Sequence, residues 1–223
     1  MLISHWMTKD VITVTPETSM MKASKLLKTH SIRRLPVVDE AGCILGIVSD
    51  RDIKEASPSK ATTLDIHELY YLLAEIKVRD IMTRDPVSLH PGDTVEHAAM
   101  LMIEKNFGGL PVVDDDSKVV GIMTYSDVFK VLITITGIRY GGVQFAFELP
   151  NRPDGLDAVL EDITGHNVRI ASILTFFPDE NSEMRRVYIR ILPTDREAEN
   201  AVVDDIKSKY NLIYWARDTK PQH

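Results

Sequence analysis

Two short stretches of this sequence carry a hydroxyl side chain and a carboxylate at the same spacing. Ser49 stands three residues before Asp52, and Thr124 stands three residues before Asp127. Each pair follows a short apolar run with a glycine, which predicts a buried strand leading into a helix. At a helix start, unpaired N–H groups and a hydroxyl can hold a phosphate. An Asp one turn later can accept hydrogen bonds from two ribose hydroxyls.

The same spacing also has a purely structural explanation. A Ser or Thr at a helix start with Asp three residues later is a capping arrangement that satisfies backbone donors. A single copy would favour that explanation. Two copies in equivalent surroundings raise the weight of a shared function, and both interpretations stay open at this point.

The duplication extends well beyond these two stretches. A constant shift of 75 positions relates Met7 to Met82, Pro16 to Pro91, Pro36 to Pro111, Gly46 to Gly121 and Asp52 to Asp127. The strongest match is Leu-Pro-Val-Val-Asp, at 35–39 and again at 110–114. A repeated supersecondary unit predicts two copies that pack on each other and leave two related clefts.

The order of these motifs resembles the cystathionine-β-synthase (CBS) domain, present as a tandem pair. Met-Thr-x-Asp, then a helix, then Leu-Pro-Val-Val-Asp, then Gly-Ile-x-Ser/Thr-x-x-Asp occurs in both copies, over about residues 1–136. The resemblance implies two βαββα repeats, about 1–56 and 78–136. It also implies a regulatory module that binds AMP, ADP, ATP or S-adenosylmethionine in clefts between the copies.

The resemblance assigns roles to individual residues. Asp52 and Asp127 would hold ribose, and Ser49 and Thr124 would face phosphate. The expected adenine contacts are Val11, Ile12, Val87 and Ser88, with the stretches that enter Pro36 and Pro111.

Charge distinguishes the two copies near these sites. Arg33 and Arg34 stand directly before Leu35, where phosphate groups converge in the family, and Gly108 and Gly109 hold the equivalent positions. Paired arginines are also ordinary exposed charge, so both interpretations stay open. If they bind phosphate, the two clefts should differ in charge.

Composition limits the classes of function. The chain is 44% hydrophobic and 26% charged, an ordinary balance for a soluble protein. A net charge of −7 and a pI near 5.5 argue against nucleic acid as a main partner. No apolar run is long enough to cross a bilayer and the start lacks the pattern of a signal peptide, so we expect a cytoplasmic location and no membrane contact.

Chemistry that needs cysteine or clustered ligands is not indicated. Cys43 is the only cysteine, and we expect it to be a half-buried structural thiol. The histidines show no metal-ligand spacing. Triad, zincin and phosphate-loop patterns are missing, so we expect neither a catalytic site nor a metal.

Several local elements can be predicted around the motifs. We expect short strands over Val11–Thr15 and near Val87–Leu89, a first helix capped by Thr18 or Ser19, and a second capped by Asp93 with Glu96 three residues later. An inserted helix is expected at about 62–77, with Ile66, Leu69, Tyr70 and Leu73 on one face.

The last third has a different plan. Gly137 is expected to end a helix, and residues 137–142 form a linker. The pattern over 143–217 is strand, helix, strand, strand, helix, strand, which is the ferredoxin-like plan. It resembles an ACT domain. ACT domains usually show Gly-x-Leu after the proline, whereas here Asp154 intervenes and Gly155 directly precedes Leu156, so a dimerising role without ligand is an equal alternative. Residues 218–223 form a tail.

A CBS pair followed by an ACT-like domain resembles the acetoin-utilisation accessory proteins. The combination implies a non-catalytic, energy-sensing regulator that binds an adenine nucleotide and passes the signal through the ACT-like domain or through oligomer packing. A homodimer and an unidentified regulated protein are the expected partners. The alternative is an oligomerisation scaffold that binds no nucleotide.

Overall fold

The computed structural model describes residues 1–57, 75–179 and 182–219. The chain divides into two compact units, Met1–Val128 and Phe129–His223. The helix predicted at about 62–77 falls largely outside the described residues. The domain limits given above, with a linker at 137–142, stay a prediction.

The first repeat builds a small sheet flanked by helices. Ser19 caps its first helix, since Ser19 Oγ accepts a bond from the Lys22 N–H over 3.2 Å. That helix buries Met20, Ala23 and Leu27 on one face, as the apolar spacing predicts. The elements are helix α1 (Met20–Thr29), strands β1 (Arg34–Val38) and β2 (Ile44–Ser49), and helix α2 (Asp50–Ala56).

The second repeat follows the same order. Its elements are α3 (Val78–Ile81), β3 (Thr83–Arg84), α4 (Val95–Glu104), β4 (Gly109–Val113), β5 (Val119–Thr124) and α5 (Tyr125–Ile135). Strands β4 and β5 pair antiparallel, as β1 and β2 do. The backbone also repeats, since Ser31 and Asn106 both take left-handed angles after the first helix of their repeat.

Each repeat contributes its leading segment to the sheet of the other. Thr8 pairs with Ile122 in the second repeat, and Thr83 pairs with Ile47 in the first. Both pairings obey the shift of 75, so the exchange is reciprocal. The two copies therefore pack on each other as the internal repeat predicts.

In each exchanged segment a methionine packs against a glycine of the other repeat. Substituting the two glycines should have unequal effects. A β-carbon on Gly46 would lie 2.6 Å from Met82 Sδ and 2.9 Å from the Thr83 backbone oxygen. The three atoms nearest to a β-carbon on Gly121 all belong to the flexible Met7 side chain. We expect Gly46→Ala to lower the free energy of unfolding by about 1–3 kcal/mol.

The matched variant Gly121→Ala should cost clearly less, because Met7 can turn away while the backbone at Thr83 cannot. Urea denaturation of both variants measures the difference. Equal losses would contradict this description of the exchange.

Some local predictions for this unit are wrong. Val11–Thr15 and Val87–Leu89 do not form strands, because only Val14 and Leu89 make a bridge, each to one residue. The cap of α4 is Thr94, whose Oγ1 accepts the His97 N–H over 3.2 Å, and not Asp93. Thr94 is the position equivalent to Ser19, so the repeat itself carries the right cap.

The second unit has the predicted order of elements. The order is strand, helix, strand, strand, helix, strand. The elements are β6 (Gly142–Pro150), α6 (Asp157–Gly165), β7 (Ile170–Phe176), β8 (Met184–Ile191), α7 (Arg196–Lys209) and β9 (Leu212–Asp218). The sheet order is β7-β8-β6-β9, and every pair is antiparallel. Gly137, with φ 67°, follows the end of α5 as expected.

Both helices of the second unit pack on one face of its sheet. Phe145 and Phe147 of β6 are fully buried, and they share a core with Val159 of α6 and Ile206 of α7. Asp195 caps α7, since Asp195 Oδ1 accepts the Ala198 N–H over 2.8 Å. Alternating residues of β6 therefore decide which face is covered.

A polar cluster joins the carboxyl ends of α6 and α7. The Tyr210 hydroxyl donates to Asp162 over 2.6 Å, and Lys209 bridges Asp162 and Asp205 over 2.9 and 3.0 Å. Burial and the bond to Asp162 raise the pKa of Tyr210 to about 12. A raised pKa means that the stabilising effect of this group is complete below pH 10 and is lost as the pH rises through about 12.

We therefore expect Tyr210 to ionise about two pH units above the ordinary pKa of a tyrosine, which is 10.0. An ultraviolet absorbance titration of the protein measures this step. Tyr210→Phe should remove it, and Tyr140→Phe, at a more exposed tyrosine, should not. Loss of the late step in the Tyr140→Phe protein would contradict the assignment.

Candidate functional site

The first motif is a closed cap between β2 and α2. The backbone N–H and the hydroxyl of Ser49 both donate to Asp52 Oδ2, each over 2.7 Å. The Asp52 N–H donates back to Ser49 Oγ over 3.3 Å. The chain thus turns from strand to helix with its first backbone donors satisfied.

The second motif repeats this geometry around a more deeply buried carboxylate. The N–H and Oγ1 of Thr124 donate to Asp127 Oδ2 over 3.0 and 2.6 Å. Asp127 is 3% exposed, whereas Asp52 is half-buried. A buried carboxylate requires such donors because removing an ionised group from water is costly. The capping interpretation therefore describes the geometry of both motifs.

This geometry restricts what the hydroxyls can do for a ligand. Each hydroxyl proton already points at its own carboxylate, so Ser49 and Thr124 cannot donate to a phosphate in the same arrangement. A phosphate would need a rotated hydroxyl or other donors. The carboxylates are less restricted, since two oxygens offer about four acceptor positions. Capping and ribose binding are therefore compatible at Asp52 and Asp127.

Strand register brings the basic residues beside the motifs. Arg34 lies opposite Ser49 in the β1–β2 pair, and Gly109 lies opposite Thr124 in the β4–β5 pair. Arg33 is exposed, while Arg34 is half-buried. Arg34 and Gly109, which are equivalent positions with different side chains, thus lie next to the two motifs, as the sequence predicts.

The Arg34 side chain crosses from the first repeat to the second. Its guanidinium lies so close to Gly108 and Gly109 that a β-carbon on either would overlap it. Burial lowers the pKa of Arg34, and the carboxylate of Asp50 opposes that effect. The guanidinium stays charged because arginine does not lose its proton in proteins. One cation therefore lies at the junction of the two repeats.

The segments expected to flank an adenine run beside the two Pro-containing strands. The Val14 N–H donates to the Pro36 oxygen over 3.0 Å, and the Leu89 N–H donates to the Pro111 oxygen over 2.9 Å. These bonds fix the residues just before Val14 and Leu89 next to β1 and β4. The structure thus places the segment that holds the predicted adenine contacts beside the proline-containing strand of the same repeat.

The residues named for this role are one position out of step between the repeats. The shift of 75 equates Ile12 with Val87, but it equates Val11 with Pro86 rather than with a residue of the Val87-Ser88 pair. Val11 and Ile12 are half-buried, while Val87 and Ser88 are exposed. The repeat alignment favours Ile12 and Val87 as the equivalent contacts.

Two neighbours of Arg34 were not among the predicted site residues. Asp50 and Tyr125 are equivalent positions at the starts of α2 and α5, and both interact electrostatically with Arg34. The Tyr125 hydroxyl donates to the Met102 backbone oxygen over 3.1 Å. A search for equivalent positions with unlike residues beside the motifs could have found this pair.

Other features of the described residues add no second site. Within those ranges, no group of three or more His, Cys, Asp and Glu side chains could hold a metal, and no helix is long and apolar enough to span a membrane. A cavity of about 410 Å³ in the second unit is lined partly by Glu199, Arg217 and Asp218. Arg217 lies 2.7 Å from Glu199, and Arg190 lies 2.7 Å from Asp218, so these charges serve the fold.

Relatives of this chain share its first unit. It is 37% identical over 134 residues to a CBS domain-containing protein of Dictyostelium discoideum, which covers 60% of this chain and 92% of that protein. It is 35% identical over 130 residues to the L-aspartate semialdehyde sulfurtransferase of Methanocaldococcus jannaschii, covering 58% of this chain and only 23% of that enzyme. The shared region thus occurs both as nearly a whole protein and as a part of a larger enzyme.

Solved structures resemble the same region. The CBS domain pair of protein MJ0100, in complex with 5′-methylthioadenosine and S-adenosyl-L-methionine, has a TM-score of 0.50 and 33% identity over 59% of this chain and 95% of its own. CBSX2 of Arabidopsis thaliana, in complex with AMP, has a TM-score of 0.51 and 33% identity over 60% and 98%. The acetoin utilization protein AcuB of Vibrio cholerae has a TM-score of 0.52 and 29% identity over 62% and 95%.

The family assignment rests on both repeats. The model of the CBS domain matches residues 3–59 and 78–134, which together make up just over half of the chain. Each match contains one hydroxyl–carboxylate motif and one Leu-Pro-Val-Val-Asp stretch. The chain therefore belongs to the CBS-domain family and carries two CBS domains in tandem.

Proposed function

We propose that this protein is a non-catalytic regulator whose CBS pair binds an adenosine-containing compound, either AMP, ADP, ATP or S-adenosylmethionine. The observation that carries the proposal is the meeting of both motifs at one cation, because Arg34 lies opposite Ser49 and also reaches Gly109, which lies opposite Thr124. Solved CBS pairs that hold AMP or S-adenosyl-L-methionine support the same ligand class.

Each predicted residue has a role in this proposal. Asp52 and Asp127 accept the ribose hydroxyls while they continue to cap their helices. Arg33 and Arg34 attract phosphate, with Ser49 and Thr124 at the same level of the strands. The adenine lies against Val11, Ile12, Val87, Ser88, Pro36 and Pro111.

The second unit is proposed to be an ACT-like domain that relays the signal or pairs two chains. Its βαββαβ order and antiparallel sheet support the resemblance. The Gly155 N–H donates to the Arg152 oxygen over 3.0 Å, and a β-carbon on Gly155 would lie 2.5 Å from the Pro150 oxygen. This glycine has a steric reason in the turn before α6, so its presence does not by itself indicate an amino-acid site.

The wider setting is also part of the proposal. We place the protein in the cytoplasm as a homodimer that acts on an unidentified target, in an energy-sensing role connected with acetoin utilisation. The likeness to AcuB supports that connection. The alternative is a scaffold that binds no nucleotide, and the closed caps at Ser49 and Thr124 favour it to the extent that they need no ligand.

Thermal unfolding of the full chain with added ligand separates the two functions. A ligand that binds only the folded protein at 100 times its dissociation constant stabilises it by about 2.7 kcal/mol. We expect AMP to raise the unfolding temperature of the first unit, and UMP, which has the same ribose and phosphate without adenine, to leave it unchanged. If no adenosine compound raises it in protein freed of carried-over ligand, the scaffold function is supported.

A further inference from the structure

The described helices of the second unit cover one face of its sheet and leave the other face open. Val187 and Ile189 of β8 lie in the core beneath the helices, so Tyr188 between them points to the open face. Antiparallel sheets with one face in water usually carry polar side chains on that face. This sheet carries an apolar row instead, which crosses β7, β8, β6 and β9 as Leu174, Tyr188, Ala146 and Tyr214.

Aromatic rings make this row a continuous surface. The rings of Phe176 and Tyr188 stack with their centroids 6.0 Å apart, and the rings of Tyr188 and Tyr214 lie 6.3 Å apart. Ala146 is fully buried although it lies on the open face, because the two tyrosines flank it. Phe176 and Tyr214 remain exposed. Single exposed apolar residues are ordinary, whereas a contiguous apolar surface marks a place of interaction.

The chain itself closes one end of the open face. Arg190 of β8 is buried there, and it donates to the backbone oxygens of Thr136 and Gly141 over 3.0 and 3.4 Å. The aromatic row beyond Arg190 has exposed rings. Four strands about 4.8 Å apart give this face an outline of roughly 400 Å². A standard stable interface buries about 800 Å² per partner, so this face fits a partner that binds reversibly.

The charges on the open face are complementary to a second copy of the same face. Arg186 of β8 lies opposite Glu148 of β6, and both side chains are partly exposed. The 4.0 Å between Arg186 Nε and Glu148 is too long for a hydrogen bond, so both groups keep capacity for an outside partner. A twofold axis along the strands, between β6 and β8, would lay β8 of one copy over β6 of the other. Each Arg186 would then face the Glu148 of the other copy.

We propose that two copies of this chain pair through the open faces of their second units. The aromatic row lies at the centre of the contact, and two Arg186–Glu148 pairs lie beside it. The twofold axis also lays the row over its own reverse, so Leu174 of one copy meets Tyr214 of the other. This inference rests on the pairing role that the proposed function gives to the second unit, and it names the surface that carries that role.

Sedimentation velocity of the full chain over a range of concentrations measures the pairing, and we expect a dimer that dissociates on dilution. Phe176→Lys and Tyr214→Lys should each raise its dissociation constant at least about tenfold, because each places a charge in an apolar contact. Ile173→Lys is the matched control. These three residues have similar exposed fractions of 47%, 42% and 40%, but Ile173 pairs with Ile189 and faces the helices, so its substitution should leave the dimer unchanged.

Charge reversal tests the twofold arrangement. Glu148→Arg and Arg186→Glu should each weaken the pairing of the protein with itself, because like charges then face each other across the axis. A mixture of the two variant proteins should recover the pairing, since each positive side chain then faces a negative one of the other protein. Repulsion within each chain persists in the mixture, so only a contact between copies explains such a recovery.

A chain that stays monomeric at every concentration, or a dimer that both lysine variants leave intact, would overturn the proposal. Loss of pairing in Ile173→Lys alone would also overturn it and would place the contact at the edge of β7. A mixture of the charge variants that pairs no better than its components would overturn the twofold arrangement. Nucleotide binding by the first unit is measured separately by thermal unfolding with AMP, so failure of either proposal can be told from failure of the other.

Discussion

Replacing Asp52 or Asp127 with alanine should weaken the binding of AMP by at least about tenfold. Each substitution removes a charged acceptor for the ribose hydroxyls, and hydrogen bonds to charged groups contribute about 1.5–3 kcal/mol. A loss of about 1.4 kcal/mol is a tenfold loss of affinity. Dialysis of the two variants with AMP measures the effect at each motif separately.

The same substitutions also remove a cap, so a control must separate binding from stability. Loss of a cap costs about 0.5–2 kcal/mol of folding free energy. Asp80→Ala removes a similar bond, in which the Lys77 N–H donates to Asp80 Oδ2 over 3.0 Å, at a position outside the site. It should lower stability by a comparable amount and leave AMP affinity unchanged. Wild-type affinity for AMP in both the Asp52→Ala and the Asp127→Ala protein would contradict the ribose-binding role of these carboxylates.

Replacing Arg190 with methionine should strongly destabilise the second unit. Arg190 is 2% exposed, and it donates to the Thr136 oxygen over 3.0 Å and to Asp218 over 2.7 Å. Removing one partner of a buried ion pair costs about 3–5 kcal/mol, and we expect about 2–4 kcal/mol because Asp218 is partly exposed. Hydrogen exchange of the β6 and β8 amides in the full chain measures the loss.

Arg186→Met is the matched control on the same strand. Arg186 is half-buried with a side chain 42% exposed, and its Nε lies 4.0 Å from Glu148, so we expect its removal to cost less than about 1 kcal/mol. Arg190→Lys should fall between the two, because it keeps the charge and loses the second N–H donor. A loss at Arg190 no greater than at Arg186 would contradict the described role of the buried guanidinium.

The sequence predicted the parts of the fold that depend on the internal repeat. A shift of 75 positions located both motifs and both proline-containing strands. The structure also has the capping hydrogen bonds that the structural interpretation of Ser49 and Thr124 predicts. The strand predicted from Val11 failed because one bridge at Val14 is all that forms before Pro16. A local sequence pattern shows that apolar and polar residues alternate, but it does not show whether a neighbouring strand is available for pairing.

The contact between Arg34 and Gly108 shows what the sequence could not supply. A repeat comparison places an arginine at 34 and a glycine at 109, and it therefore predicts unequal charge near the two motifs. It does not show that one side chain crosses to the other repeat, because that depends on how the copies pack. The cap at Thr94 was predictable from Ser19, and a local preference for Asp93 hid it.

Calorimetric titration of the purified full chain with AMP, ADP, ATP and S-adenosylmethionine tests the central claim most directly. We predict saturable binding of at least one of these four compounds. Flat titrations with all four compounds, in folded protein shown to carry no bound nucleotide, would contradict the claim that this CBS pair senses an adenosine ligand.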